Sequence, residues 1–275
     1  MNKSSVLFHS AIILSCYSIL ICSKVFNLYA AEARAADLPT LAQRLESILQ
    51  FKQPLGDDNQ DPGNRTSGGP RVPETLCSQA QGKLTALVPA NKQVQANQET
   101  GVLGYTIATQ PTFWFYSPYQ PKQTLSAELE IRELVNGKVR RVSQQTLTMP
   151  STPGLLPVQL QNTSLETGKK YQWLFTVQCV PNEPSANDTA TGWVKRVDNA
   201  QLQNQSQSMK APKQRVQAYA QAGLWHETIT TIAGELCRSD RKQAQQWFSE
   251  LLRSVNLGDV AKQPKANLLQ SCPKL

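Results

Sequence analysis

Between Leu84 and Val197 the apolar side chains recur at every second position, whereas from Pro212 to Val255 they recur every third or fourth. Strands present alternate residues to one face and helices present residues at the longer spacing, so a β unit must precede an α unit. Leu125, Ala127, Leu129 and Ile131 alternate with Ser126, Glu128, Glu130 and Arg132, which predicts a half-buried strand. Asn136-Gly137, flanked by Val135 and Val139, supplies a hairpin turn. Tyr171, Trp173, Phe175, Val177 and Cys179 share one face of another strand, and shorter candidates run Leu84–Val88, Leu103–Ile107, Phe113–Tyr116, Leu155–Leu160 and Trp193–Val197. About seven or eight short strands in about 115 residues predict a two-sheet sandwich over 77–198.

A Gln-, Asn- and Ser-rich stretch reads as a polar linker over 199–210. Beyond it, Pro212 suits a first helical position and Gly223 a stop. Trp225, Ile229, Ile232 and Leu236 mark a second helix. Asp240 is placed to cap a third, on which Ala244, Trp247, Phe248, Leu251, Leu252 and Val255 form an apolar stripe. This predicts a small helical hairpin or three-helix unit over 211–258, with a tail over 259–275.

The beginning of the chain sets the expected compartment. Lys3 precedes an apolar stretch from Val6 to Cys22, and Ala31-Glu32-Ala33 and Ala33-Arg34-Ala35 have the form a signal peptidase accepts, so residues 1–35 read as a signal peptide. An uncleaved anchor is the alternative, although Ser10, Ser15 and Ser18 dilute the span. Residues 36–53 carry Leu41, Leu45, Ile48 and Leu49 at helical spacing, a short amphipathic helix. Residues 54–76 hold Gly, Asp, Asn and Pro in a composition that cannot bury much apolar surface, and so read as a flexible linker. Asp57-x-Asn59-x-Asp61 resembles the start of a calcium loop, but Pro62 and Gly68 stand where a Gly and a bidentate Glu belong, which excludes that site.

Cleavage after Ala35 leaves Cys77, Cys179, Cys237 and Cys272, an even set without zinc-like spacing and consistent with an oxidising compartment. Four cysteines allow three pairings. Cys77–Cys179 and Cys237–Cys272 keep each bridge within one unit, and are the expected pairs. The formal charge of +8 falls to +6 on losing Lys3, Lys24, Arg34 and Glu32. No run of Lys and Arg accompanies that excess, so it suits an ordinary solvated surface, or anionic glycans or lipid head groups, better than nucleic acid.

Only two histidines are present, and His9 falls in the signal segment. A single imidazole, His226, excludes a multi-His metal site and leaves little room for a Ser-His-Asp scheme. His226 sits about 100° around its helix from Trp225, which places it at a surface or edge. No nucleophile elbow, zinc-protease, phosphate-loop or dinucleotide motif occurs, so no catalytic residue, metal or cofactor is expected. Glu128 and Glu130 share a strand face as glycosidase carboxylates can, but Arg132 beside them marks a solvated surface.

The most informative binding candidate is Phe113-Trp114-Phe115-Tyr116. Two of these side chains can fill the sandwich; the other two must go elsewhere. Exposed, Trp114, Tyr116 and Tyr119 would form a platform for sugar rings or a partner's apolar groups. Covered by Trp225 or Trp247, they would form a core between the two units, the arrangement favoured because the helices must bury their stripe somewhere.

Leu165-x-x-Gly168-x-x-Tyr171-x-Trp173 resembles the corner of fibronectin type III and other immunoglobulin-like sandwiches, where such a tyrosine bonds back to the backbone; the resemblance makes Tyr171 and Trp173 structural. Tyr219 to Ile229 resembles one tetratricopeptide helix junction, too little for a self-standing array, so the hairpin is expected to dock on the sandwich. Leu84-Thr-Ala-Leu-Val-Pro89, Pro111 to Tyr119, Leu165 to Trp173, Gly192-Trp-Val-Lys-Arg196 and Tyr219-Ala-x-x-Gly-Leu-Trp225, in this order, are similar to a cyanobacterial exported family known as domain of unknown function 928. Pro73-Glu-Thr-Leu76 replaces the Gly-Thr-Arg-Gly of that family before the first cysteine. The resemblance implies export and transfers no catalytic site. The resulting expectation is a non-catalytic envelope or periplasmic adaptor that binds another protein, with a carbohydrate-binding module as alternative and a hydrolase using Glu128 and Glu130 third.

Overall fold

The strand-forming alternation builds two sheets. The computed structural model describes Leu49 and residues 51–54, 63–68, 77, 80, 82–92, 99–180, 183–238 and 241–263. The signal segment, nearly all of the predicted 36–53 helix, Asp57–Asp61, Asp240, Cys272 and residues 264–275 lie outside the described residues. Strands β1 (Thr85–Ala86), β5 (Thr112–Ser117) and β8 (Gly154–Gln159) form an antiparallel sheet in the order β1-β5-β8. Strands β4 (Leu103–Thr106), β10 (Asp188–Arg196), β9 (Lys170–Val177), β6 (Ser126–Val135) and β7 (Lys138–Thr148) form a second sheet in that order. Within it β4 runs parallel to β10 and the other pairs are antiparallel. A short pair, β2 (Asn91–Lys92) with β3 (Glu99–Thr100), stands apart.

The period-two pattern decides the core. On β9, Tyr171, Trp173, Phe175 and Val177 are buried and the residues between them are partly exposed. Phe115 of β5 stacks on Phe175 at 4.0 Å, and Phe113 and Phe115 both meet the Trp173 ring, closing one sheet over the other. Gly192 pairs with Trp173 across the ladder, and a Cβ there would come within 2.4 Å of the indole. Glycine is required there by close approach. Asn136 and Gly137 both have positive φ, 51° and 75°, the conformation of the two-residue turn that joins twisted strands β6 and β7. Tyr171 is buried, and its Oη accepts from the backbone N–H of Glu166.

Five helices follow among the described residues: α1 (Ala200–Ser208), α2 (Pro212–Gln221), α3 (Trp225–Leu236), α4 (Arg241–Ser254) and α5 (Gly258–Ala261). Gly223, at φ 70°, ends α2. None of the helices among the described residues is long and apolar enough to cross a membrane. Sandwich and helices belong to one compact unit beginning at Leu49, with α3 laid on β4 and β5. Because Phe113 and Phe115 point into the sandwich, Trp114 and Tyr116 point out of it, and the helices cover them as a third layer.

Three segments differ from their expected form. Phe51–Pro54, expected at the end of a helix and the start of a linker, are irregular: Lys52 N–H donates to the Ala220 carbonyl and the Phe51 ring meets Trp225 edge-on. Pro54 disfavours helical geometry in the residue before it. Within the 54–76 linker, Asn64 bridges Thr191 and Thr66 bridges Thr85, so residues 63–68 are part of the β structure. Between them Arg65 is buried and donates to the carbonyls of Val88 and Val255, tying sandwich to helices. Backbone pairing and one buried guanidinium supply the order that apolar burial could not. The 199–210 linker is helical over Ala200–Ser208, started by the Asn199 side chain accepting from Leu202 N–H.

The Cys77–Cys179 bridge is formed. Cys237 is also disulfide-bonded; its expected partner, Cys272, lies outside the described residues.

Candidate functional site

Helix α3 opens on three residues that each lock onto the sandwich. Trp225 is fully buried and its Nε1–H donates to the Leu87 carbonyl at 2.7 Å. His226 lies under β4 and β5, with its ring edge-on to Phe113 and Nδ1 3.1 Å from the Thr112 carbonyl. A carbonyl only accepts, so Nδ1 carries the proton and Nε2 keeps a lone pair, which has no hydrogen-bond partner. Gly104 makes room for it, since a Cβ there would stand 2.5 Å from Nε2. The surface position expected for His226 is therefore corrected: it is 5 % exposed. Helical angle alone could not show that a sheet closes over the first turn.

Glu227 reaches the end of β4. Its Oε1 accepts from Thr106 Oγ1 at 2.6 Å and from the N–H groups of Ile107 and Ala108 at 3.0 and 3.1 Å. Its Oε2 is buried without a partner. Burial pushes the carboxyl above the usual range, and the hydrogen bonds on Oε1 act the other way.

His226 and Glu227 help to wall a cleft of about 450 Å³ between α3 and the outer face of β5 and β8, lined also by Pro111, Trp114, Pro157, Gln159 and Gln161. Its lining offers hydrogen-bonding groups and apolar patches. In the sequence Glu227 is notable only as the neighbour of His226, in a general-base pairing set aside in favour of a surface or edge position, and the glutamines do not stand out. A Glu in the first turn of an amphipathic helix is a faint sign of docking to backbone donors.

Trp114, Tyr116 and Tyr119 do not form an exposed platform. Trp114 is 4 % exposed and donates from Nε1 to Thr230 Oγ1 at 2.9 Å. Tyr116 is equally buried, with its Oη 3.4 Å from Gln263 Oε1. Tyr119 lies apart from both, donating to Asp188 Oδ2 at 2.7 Å in the interior, where burial pushes both pKa values up. The cover over Trp114 comes from the α3 hydroxyl of Thr230. The grouping of Cys77, Cys179 and Asp188 could suggest a metal site, but both sulfurs are committed to the disulfide. Glu130 is held bidentately by Arg132, which lowers its pKa, the reverse of a general acid; Glu128 accepts from Gln144.

A second surface stands out at the β6–β7 turn. Leu134, Val135 and Val139 are 57 %, 39 % and 62 % exposed. Lys138, Arg140 and Arg141 flank them, Arg140 paired with Glu133, and β7 is the outer edge of its sheet.

Burial pushes the His226 pKa down to about 4 from an ordinary 6.5. A depressed histidine contributes stability that is intact above the unfolded value and lost as pH falls toward the folded one. The expected loss between pH 6.5 and 4 is about 3 kcal/mol. Urea unfolding of wild type and His226→Gln across this range checks it: the difference between the two should change with pH, and parallel curves would contradict a buried neutral imidazole.

The chain matches none of the curated proteins compared with it. A family model does match, over residues 66–265, which takes in the sandwich, the helices and both walls of the cleft. On that match the chain belongs to the family described as Domain of Unknown Function (DUF928).

Proposed function

We propose that this protein is exported and acts in the cell envelope as a non-catalytic interaction protein, gripping another protein through the tip of the β6–β7 hairpin. One observation carries the reading: the large apolar side chains that stand exposed among the described residues, Leu134, Val135 and Val139, all lie at that tip. Isolated exposed apolar residues are ordinary, but three gathered on a protruding turn form a contact surface. Their cationic flank suits an apolar recess with an acidic rim, and the open β7 edge offers backbone pairing beside it. The buried disulfide and the apolar N-terminal segment support export.

A photoreactive amino acid in place of Val139, introduced in the native host, is expected to yield one discrete adduct with another envelope protein. Val139→Asp combined with a probe at Leu134 should lower that yield about tenfold, since a surface substitution leaves the fold intact. Adducts no different from those of a probe at exposed Gln201 would contradict the reading.

A further inference from the structure

The cleft between α3 and the β5–β8 face has no part in that reading. Its size falls in the range of small-molecule sites, about 300–1,000 Å³. Its walls are unevenly equipped. Gln110, Gln159 and Gln161 each bring an amide that can donate and accept, Thr112 and Thr230 bring hydroxyls, and among the described residues no lysine, arginine or aspartate lines it. Glu227 places a carboxyl on the same wall, its Oε1 saturated by three donors.

We propose that this cleft binds a neutral sugar of one or two rings, with ligand hydroxyls on the amides of Gln159 and Gln161 at its outer edge. An anion would meet a carboxyl and, among the described residues, no cation. An ammonium would require the acid to be charged where burial opposes charge. A hydroxyl both donates and accepts, so it pairs with the glutamine amides, which do the same. Pro111 and Pro157 offer apolar surface to the C–H faces of a ring, and Trp114 shares the same wall. Of Trp114, Tyr116 and Tyr119 only Trp114 lines the cleft, so the site is not the platform of the three.

Calorimetric titration of the purified protein with glucose, galactose, N-acetylglucosamine, maltose and cellobiose tests it. At least one should bind saturably, with Kd in the range of about 10 μM to 5 mM, and Gln159→Ala/Gln161→Ala should weaken it about tenfold or more without moving Tm, because both side chains are exposed. Maltohexaose against maltose, and N-acetylchitohexaose against its monosaccharide, separate a polymer segment from a free sugar; a preference for either supports the site. The proposal is overturned if no sugar binds, if the double variant binds as wild type does, or if glucuronate or glucose 6-phosphate binds more tightly than every neutral sugar. None of these results depends on the hairpin tip, whose crosslinks stand or fall separately.

Discussion

Trp114→Ala is expected to lower the unfolding free energy by about 3–5 kcal/mol. The indole is buried between β5 and α3, and its Nε1–H holds Thr230 Oγ1. Truncation opens a large cavity and leaves the Thr230 hydroxyl without its donor. Trp114→Phe separates the two contributions: it keeps most of the apolar contact and should lose about 1–2 kcal/mol for the bond and the smaller ring. Urea titration of the three proteins reads both effects. A loss under about 1 kcal/mol for the alanine variant would mean that the helices do not cover this strand.

A loss of about 4–5 kcal/mol is expected for Cys77→Ala/Cys179→Ala. The bridge spans 102 positions, and both cysteines are buried. Closing so long a loop removes much of the freedom of the unfolded chain, and Cys77 precedes β1 and belongs to no strand. Cys179 has a second restraint, its N–H donating to Asn187 Oδ1. The double variant is the right probe because reduction would also break the Cys237 bridge. A shift in the urea midpoint worth under 1 kcal/mol would show that the sheet, and not the bridge, anchors this end.

The alternation from Tyr171 to Val177 foretold which face of β9 is buried, residue by residue, because a strand has only two faces and one was apolar. The stripe from Ala244 to Val255 was equally plain, and all six of its residues are buried. Arg65 was hidden because its order comes from partners far along the chain, Val88 and Val255, and from the pairing of neighbouring Asn64 with Thr191, while its surroundings look like a linker. Helix α1 was hidden because its residues are polar all round, with only Ser206 buried. The cleft was the least legible. Glutamines on β8 and a carboxylate on α3 meet there only after the helices dock, and no spacing within the chain records that meeting. The aromatic block was half legible: a strand with apolar residues on both faces needs two covers, but not which residues supply them.

The central claim is that the helices form a third layer fused to the sandwich, walling both His226 and the cleft. Native-state hydrogen exchange tests it most directly, by comparing amides of Trp225–Leu236 with those of Lys170–Val177. The two sets should open with the same free energy, that of global unfolding, and shift together with urea. Exchange of the helix at a free energy several kcal/mol below that of the strand would show a loosely attached unit, and contradict the account.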